Sequence, residues 1–193
     1  MKQIDTKAAL ESAARVFAEA FHNYPIYTFC FPDEIERKRV LLLLFQASVK
    51  YISEFAYYDG DENDPSVILL INSPTAKGPD AWQAIGLLFD YGYRLPLRRT
   101  LKMLSIFNEF ERARIKLPHW YLQAIAVSPT QQGTGIGTRT LQFARSLAGD
   151  LPICLETSTS ANARFYLSHG YEQQKQFVTL NGKGTEVWTF VSR

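Results

Sequence analysis

The sequence predicts an α+β fold whose central sheet contains both parallel and antiparallel strands. A strand with alternating side chains, residues 119–127, leads through glycines into an amphipathic helix at 135–148, and a buried strand at 153–157 follows. A strand–helix–strand crossover leaves its two strands side by side and parallel. Two segments with polar turns, at 55–72 and 177–191, predict antiparallel hairpins.

Composition and charge limit the classes of function. Of the residues, 46% are hydrophobic, 21% charged and 13% aromatic, as in a folded soluble protein, and 193 residues suit one domain, expected to span 1–193. A formal charge of +2 is too small to favour nucleic acid or an anionic membrane as a partner. Cys30 and Cys154 have no zinc-ligand spacing, so we expect free thiols, no metal site and a reducing compartment.

No segment has the pattern of a membrane span or a secretory signal. The longest apolar run, Val40–Phe45, has six residues, whereas a transmembrane helix needs roughly 20. Charged residues interrupt the first part of the chain, where a secretory signal has a continuous apolar core. We therefore expect a cytoplasmic protein whose mature chain starts near Met1.

Two helices are predicted before the first hairpin. Asp5 or Thr6 can cap the first, in which apolar residues recur every three or four positions. The second covers about 32–54 and has acidic residues in its first turn, where the helix dipole favours them. The aromatic segment Tyr24–Phe31 between them is bounded by prolines, so we predict a packed loop that lines a binding site.

The remaining elements follow from periodicity and from turn residues. The terminal hairpin has the turn Asn181–Gly184, which is rich in glycine. The predicted elements are strands Phe55–Tyr58 and Val67–Asn72, helices around Ala81–Tyr91 and Pro96–Ile115, a helix from Ser160 or Asn162 to His169, and strands Phe177–Leu180 and Thr185–Val191.

The alternating strand should present two different faces. Period two places Trp120, Leu122, Ala124 and Ala126 on one apolar face, and His119, Tyr121, Gln123, Ile125 and Val127 on the other. The second face carries the groups that can form hydrogen bonds, so it is the better candidate for a functional surface.

The glycines that open the following helix suit the phosphates of a nucleotide-like cofactor. A P-loop needs a lysine after its glycines, but Gly137 is followed by Thr138, which argues against a nucleoside triphosphatase. A dinucleotide-binding fold needs G-x-G-x-x-G, and neither Gly133 nor Gly135 starts one. Glu156, about twenty residues further on at a strand end, is the one residue in favour of that second alternative.

A third alternative rests on a family resemblance. Gln132-x-x-Gly135-x-Gly137 follows the strand end at Val127 and resembles the Gln/Arg-x-x-Gly-x-Gly/Ala motif of the GNAT superfamily of acyl-CoA-dependent N-acyltransferases. Downstream, Leu155-Glu156-Thr157 followed by Asn162-x-x-Phe165-Tyr166-x-x-x-Gly170-Tyr171 resembles the second family motif, with Tyr171 in place of the usual Phe. The His-Trp-Tyr-Leu strand and the four-residue spacing from Asn to Tyr are most similar to the puromycin N-acetyltransferase-like branch.

The resemblance implies a three-layer α/β/α sandwich around a mixed, splayed sheet, and a site for acetyl-CoA. The pantetheine arm would add to the strand edge at Ile125, Ala126 and Val127, with Asn162 on its other side. No metal is implied. The coenzyme diphosphate would be held by Gln132, Gly133, Thr134, Gly135, Ile136, Gly137 and Thr138.

The catalytic residues implied by the resemblance are less complete. Tyr166 matches the family position whose hydroxyl donates a proton to the departing thiolate, although a core aromatic pair with Phe165 is the alternative. The family's strand-borne base falls at Tyr121 and Gln123, and neither is basic near neutral pH. His119 shares their face and could act through water, or could simply cap and pack at the strand start.

The resemblance therefore implies an N-acetyltransferase that uses acetyl-CoA and transfers the acetyl group by direct attack of a primary amine, on a small molecule or a peptide. The alternative is a non-catalytic acyl-CoA-binding module that serves as a sensor or partner domain. We expect a monomer or homodimer with no nucleic-acid or membrane partner. The acceptor side is predicted to be built from Tyr24–Phe31, residues 73–99 and the terminal hairpin turn.

Overall fold

The computed structural model describes residues 1–76 and 90–192, and its described strands form one seven-stranded sheet. Every neighbouring pair is antiparallel except β4 and β5, which are parallel as the crossover predicts. The strands are β1 (Lys2–Gln3), β2 (Phe55–Gly60), β3 (Pro65–Asn72), β4 (Trp120–Val127), β5 (Ile153–Thr157), β6 (Tyr171–Val178) and β7 (Glu186–Ser192), in the order β1-β2-β3-β4-β5-β7-β6.

Most of the predicted helices are confirmed. Thr6 caps the first, because its hydroxyl accepts a hydrogen bond from the Ala9 amide at 3.1 Å. A π-helical turn, Ser48–Ile52, extends the third. The helix predicted around Ala81–Tyr91 lies almost wholly outside the described residues. The helices are α1 (Lys7–Ala20), α2 (Pro25–Cys30), α3 (Glu34–Ala47), α4 (Leu97–Ala113), α5 (Ile136–Ala148) and α6 (Ser160–Ser168).

The helices cover both faces of the sheet, which confirms the predicted α/β/α sandwich. Helices α1 and α3 pack on Ile68 and Leu70 of β3, whereas α5 and α6 belong to the apolar cluster that contains Leu69 and Ile71 on its other face. Because β3 is buried on both sides, its sequence is a continuous apolar run rather than an alternating one. No helix in the described ranges is both long and apolar enough to cross a membrane.

Two predictions of local structure are wrong. The segment Tyr24–Phe31 is not a loop, because Pro25 occupies the first turn of α2, where its missing N–H is not needed. The strand predicted to begin at Phe177 begins at Tyr171. β6 lies at the sheet edge and most of its side chains are exposed, so it carries a polar run, Glu172–Gln176, without the apolar alternation that the prediction relied on.

The two faces predicted for β4 are also partly wrong, because the strand contains a β-bulge. Leu70 of β3 pairs with Ala124, but the next residue, Ile71, pairs with Leu122, which leaves Gln123 as an extra residue on β4. The bulge places Leu122 in the cluster with α5, and Ala124 in the cluster with α1 and α3. These two residues therefore face opposite layers instead of sharing one.

Candidate active site

The centre of the sheet opens between its two parallel strands. β4 and β5 pair only at their beginnings, where Trp120 lies opposite Ile153 and Tyr121 opposite Cys154. Beyond Tyr121, β4 remains paired with β3 up to Val127, but its other edge has no strand partner among the described residues. The sheet is therefore splayed, as the family resemblance implies.

A cavity of about 1180 Å³ extends from this opening. Ligand pockets commonly measure about 300 to 1,000 Å³, so this one has room for more than a single small molecule. Ile125, Asn162 and Tyr166, three of the residues predicted to contact the coenzyme, line one part of it. Its wall also includes aromatic and apolar side chains of α2, α3 and α4, among them Tyr24, Ile26, Tyr27, Leu44, Phe45, Met103 and Phe107.

All four predicted catalytic residues line this cavity: Tyr166, His119, Tyr121 and Gln123. Two of the three regions predicted for the acceptor side do so as well, through residues 24, 26 and 27 and through residues 73, 74, 76, 91, 92 and 95. The terminal hairpin turn is not among the lining residues. The glycine turn at 132–138 also lies outside the cavity lining and is largely exposed.

Tyr166 lies on α6 with its side chain buried against the sheet. Its ring lies 5.5 Å from that of Phe165 and 5.6 Å from that of Tyr171, measured between centroids. Burial raises the pKa of Tyr166 above its ordinary value, and the nearby Tyr24 and Tyr171 act in the same direction. The phenol is therefore protonated at neutral pH, which is the form that a proton donor requires.

The residues at the base position of the family do not supply a base here. Burial raises the pKa of Tyr121 well above its ordinary value, so its phenol stays neutral. Gln123 accepts a hydrogen bond from the Ser53 hydroxyl at 2.8 Å. The Nδ1 atom of His119 lies 2.7 Å from the Leu117 carbonyl oxygen, which can only accept, so Nδ1 carries the proton and the ring is anchored locally.

The glycine turn has the backbone shape that the motif demands. Gly133 and Gly135 have φ angles of 79° and 81°, in the left-handed region that side chains disfavour. A side chain at Gly133 would meet nothing within 4 Å, so its backbone is open to a ligand. Gly135 then caps α5, and the first amides of this helix have no acceptor within the helix.

The two sequence motifs pack against each other. A Cβ atom at Gly137 would lie 3.4 Å from the ring of Phe165, which is van der Waals contact, so α5 and the Phe165 side chain of α6 meet at this position. The Thr138 hydroxyl lies 2.9 Å from Nε2 of His169, which follows α6. The side-chain amide of Gln132 donates to the Val127 carbonyl at 3.3 Å and ties the turn to the end of β4.

Glu156 is a cavity residue to which sequence reasoning gave a role only in the dinucleotide alternative. It lies on β5 just beyond the part of the strand that pairs with β4, and its side chain is 3% exposed. The guanidinium of Arg114, which follows α4, donates from Nε to its Oε1 at 2.9 Å and lies over the Tyr121 ring at 3.3 Å. A charged residue inside an otherwise buried strand was the available signal for it.

Comparisons with known proteins agree with this architecture. Residues 102–173, which include both motifs, match the family model described as an acetyltransferase (GNAT) domain. Together with the splayed mixed sheet, this match confirms the resemblance to the GNAT superfamily. The chain has the GNAT fold. The more specific likeness to the puromycin N-acetyltransferase-like branch stays a prediction.

Three solved structures with this fold cover nearly the whole chain. One, described as "histone acetyltransferase HPA2 and related acetyltransferase" of Corynebacterium glutamicum, is 22% identical over 98% of this chain and 96% of its own, with a TM-score of 0.66. An N-acetyltransferase of Staphylococcus aureus is 11% identical over 99% and 100%, with a TM-score of 0.61. A polyamine N-acetyltransferase of Drosophila melanogaster is 15% identical over 98% and 97%, with a TM-score of 0.53. The chain has no match among curated protein sequences.

Proposed function

We propose that the protein is an acetyl-CoA-dependent N-acetyltransferase that acetylates a primary amine of a small molecule or peptide. One observation carries the proposal. A single cavity joins Ile125, Asn162 and Tyr166, on the predicted coenzyme side, to the aromatic wall formed by α2 and α3. Two reactants can therefore meet next to Tyr166.

The residues present fit coenzyme A at two independent places. The backbone at Gly133 is open, and the amides of the first turn of α5 favour an anion such as a diphosphate. The free edge of β4 at Ile125–Val127 offers backbone groups to which an extended arm can add like a strand. Asn162, exposed on α6, would meet the arm from the other side.

Acetyl-CoA would supply an activated acetyl thioester. The amine nitrogen bonds to the carbonyl carbon while the carbon–sulfur bond breaks, so the products are the N-acetyl amine and coenzyme A. One proton leaves the nitrogen and one reaches the sulfur. Tyr166 donates to the sulfur as negative charge develops there, and its protonated state, maintained by burial, makes that donation available at neutral pH.

The direct test follows free thiol during incubation of the protein with acetyl-CoA and a panel of primary amines. We expect thiol release that depends on the amine, and Tyr166→Phe should lower kcat by about 10²-fold or more while coenzyme affinity stays the same. Tyr171→Phe is the matched control, because it removes a buried hydroxyl one ring away that does not line the cavity. Full turnover in Tyr166→Phe would remove this residue from the mechanism.

A second candidate is a non-catalytic acyl-CoA-binding module. The observation in its favour is that Tyr121 and Gln123 replace the usual base, and that Gln123 is already hydrogen-bonded to Ser53. Binding of acetyl-CoA without thiol release for any amine in the panel would favour this alternative. A thermal shift with NAD but none with acetyl-CoA would overturn both.

A further inference from the structure

Glu156, which is one of the residues that line the cavity, has one buried carboxylate oxygen without a hydrogen-bond partner. Oε1 accepts the hydrogen bond from Arg114, whereas Oε2 is buried and has no hydrogen-bond partner among the described residues. A buried carboxylate oxygen without a donor is costly, and such atoms in native proteins usually have a function. Because Glu156 lines the cavity, a ligand in the cavity can supply the missing donor.

The charges around Glu156 leave room for a cation. The Arg114 guanidinium, whose side chain is 10% exposed, is shared by two carboxylates, because its Nη1 also contacts Oε1 of Glu111. Glu111 is 64% exposed and its charge is therefore screened by water, but its contact with Nη1 occupies part of the guanidinium, and Arg114 donates to Glu156 through Nε. Lys116, the other strongly basic residue of the cavity wall, is exposed to solvent, where water screens its charge.

The position of Glu156 suits the reacting nitrogen. Tyr121 pairs with Cys154 across the parallel strands, so Glu156 lies level with the bulged residue Gln123 on the opposite side of the opening. Ile125, where the thioester arm is predicted to begin its contacts, is about two residues or roughly 6 to 7 Å further along β4. An amine held at Glu156 would thus lie near the place where the proposed reaction occurs.

The rest of the cavity wall favours an apolar ligand body. Tyr24 is held in place because its hydroxyl lies 3.0 Å from the Thr157 hydroxyl and accepts from the Ser158 amide at 2.7 Å. These bonds occupy its polar end, so the ring contributes apolar surface. Further aromatic rings of the wall are those of Phe21, Tyr27, Phe45 and Phe107.

We infer that Glu156 binds the ammonium group of the acceptor and selects amines carried on an apolar, aromatic-sized body. The inference rests on the proposed function, since it names the acceptor class of the same site. Glu156 accepts a hydrogen bond from the ammonium through Oε2, while Arg114, which lies over the Tyr121 ring, holds the carboxylate in place. The ammonium releases one proton to water before the neutral nitrogen attacks the thioester. The aromatic wall binds the remainder of the acceptor by burying its apolar surface.

The test compares two probes that differ in one group, 2-phenylethylamine and 2-phenylethanol, by calorimetric titration without acetyl-CoA. The amine should bind the wild-type protein at least about tenfold more tightly than the alcohol, because a hydrogen-bonded charge contributes more than a neutral group. Glu156→Gln should abolish this preference. Glu34→Gln, an exposed glutamate outside the cavity, is the matched control and should preserve it.

Each outcome decides the inference. Equal binding of the two probes to the wild type, no binding of either, or an unchanged preference in Glu156→Gln overturns it. If Glu156→Gln does not fold, Glu156→Asp replaces it. The aspartate keeps the negative charge on a side chain that is one methylene shorter, so the preference for the amine should fall by several-fold. An unchanged preference in this variant again overturns the inference. A preference for the amine without any acetyl transfer would leave this inference standing and refute the proposed function instead.

Discussion

Removing one partner of the buried ion pair between Arg114 and Glu156 should strongly destabilise the protein. Arg114→Met keeps the apolar stem but removes the guanidinium, so Glu156, 3% exposed, loses its charged partner. Removing one partner of a buried pair typically costs about 3 to 5 kcal/mol. Since Glu156 borders a cavity into which water can enter, we expect the lower end of that range, about 3 kcal/mol of the free energy of unfolding.

The two positions should show strong non-additivity, because they form one buried ion pair. In Arg114→Met with Glu156→Gln, no uncompensated charge remains, so the double variant should be no less stable than Arg114→Met alone. The coupling free energy between the two positions should then be about 1 to 3 kcal/mol. Urea unfolding at pH 7 of the wild type, both single variants and the double variant measures it, provided that all four have the same m-value.

A coupling below about 0.5 kcal/mol would refute this account of the pair. The control is Lys7 with Glu11, which lie 3.8 Å apart on α1 with side chains 90% and 48% exposed. Neutralising that pair should change the free energy of unfolding by less than about 0.5 kcal/mol, because solvent screens exposed charges.

Two further predictions concern the cysteines and the glycine turn. Burial raises the pKa of Cys30 to about 11 and that of Cys154 to about 12, so at pH 8 roughly one thiol in a thousand or fewer is ionised. Iodoacetamide reacts with the thiolate, so it should label neither cysteine until the protein is unfolded. Because both pKa values exceed the ordinary 9.0, the folded state retains thiol protons that the unfolded chain releases. The free energy of unfolding should therefore decline as the pH rises above about 9. Rapid labelling of the native protein, or a free energy of unfolding that does not change with alkaline pH, would contradict this. Gly135→Ala should lower the free energy of unfolding by about 1 to 2 kcal/mol, measured by thermal or urea unfolding, because the φ angle of Gly135 is 81°. No atom lies closer than 3.8 Å to an added Cβ, so the loss would come from backbone strain and not from a clash. Gly137→Ala, inside α5, should not lose stability in that way, and equal losses for the two would contradict the backbone argument.

Local signals identified the parts of the site that are contiguous in sequence. The glycine turn depends on backbone angles at Gly133 and Gly135, which only glycine adopts without strain, so a short motif reports its shape. The same holds for α6, where Asn162 and Tyr166 are one helical turn apart and both line the cavity. These residues could be named in advance because neighbours in the chain determine their placement.

Sequence patterns do not predict the features whose position depends on residues far away in the chain. Glu156 acquires its meaning from Arg114, 42 residues earlier, and from the opening between β4 and β5. The bulge at Gln123 is visible only in the pairing of β4 with β3. A period of two in the sequence assumes that each residue of one strand lies opposite one residue of the other. β6 was missed at its start because an exposed edge strand needs no apolar alternation.

The fold class, the parallel crossover and the two motifs that resemble the GNAT superfamily can all be inferred from the sequence alone. Each of these follows from periodicity or from residue types with special backbone geometry, which act over a few neighbouring positions. The point at which the parallel strands part, after Tyr121, and the position of Glu156 in the wall of the resulting cavity become visible only in the folded chain. Burial and charge pairing are properties of the assembled sheet, because they arise when segments far apart in the chain exclude water together.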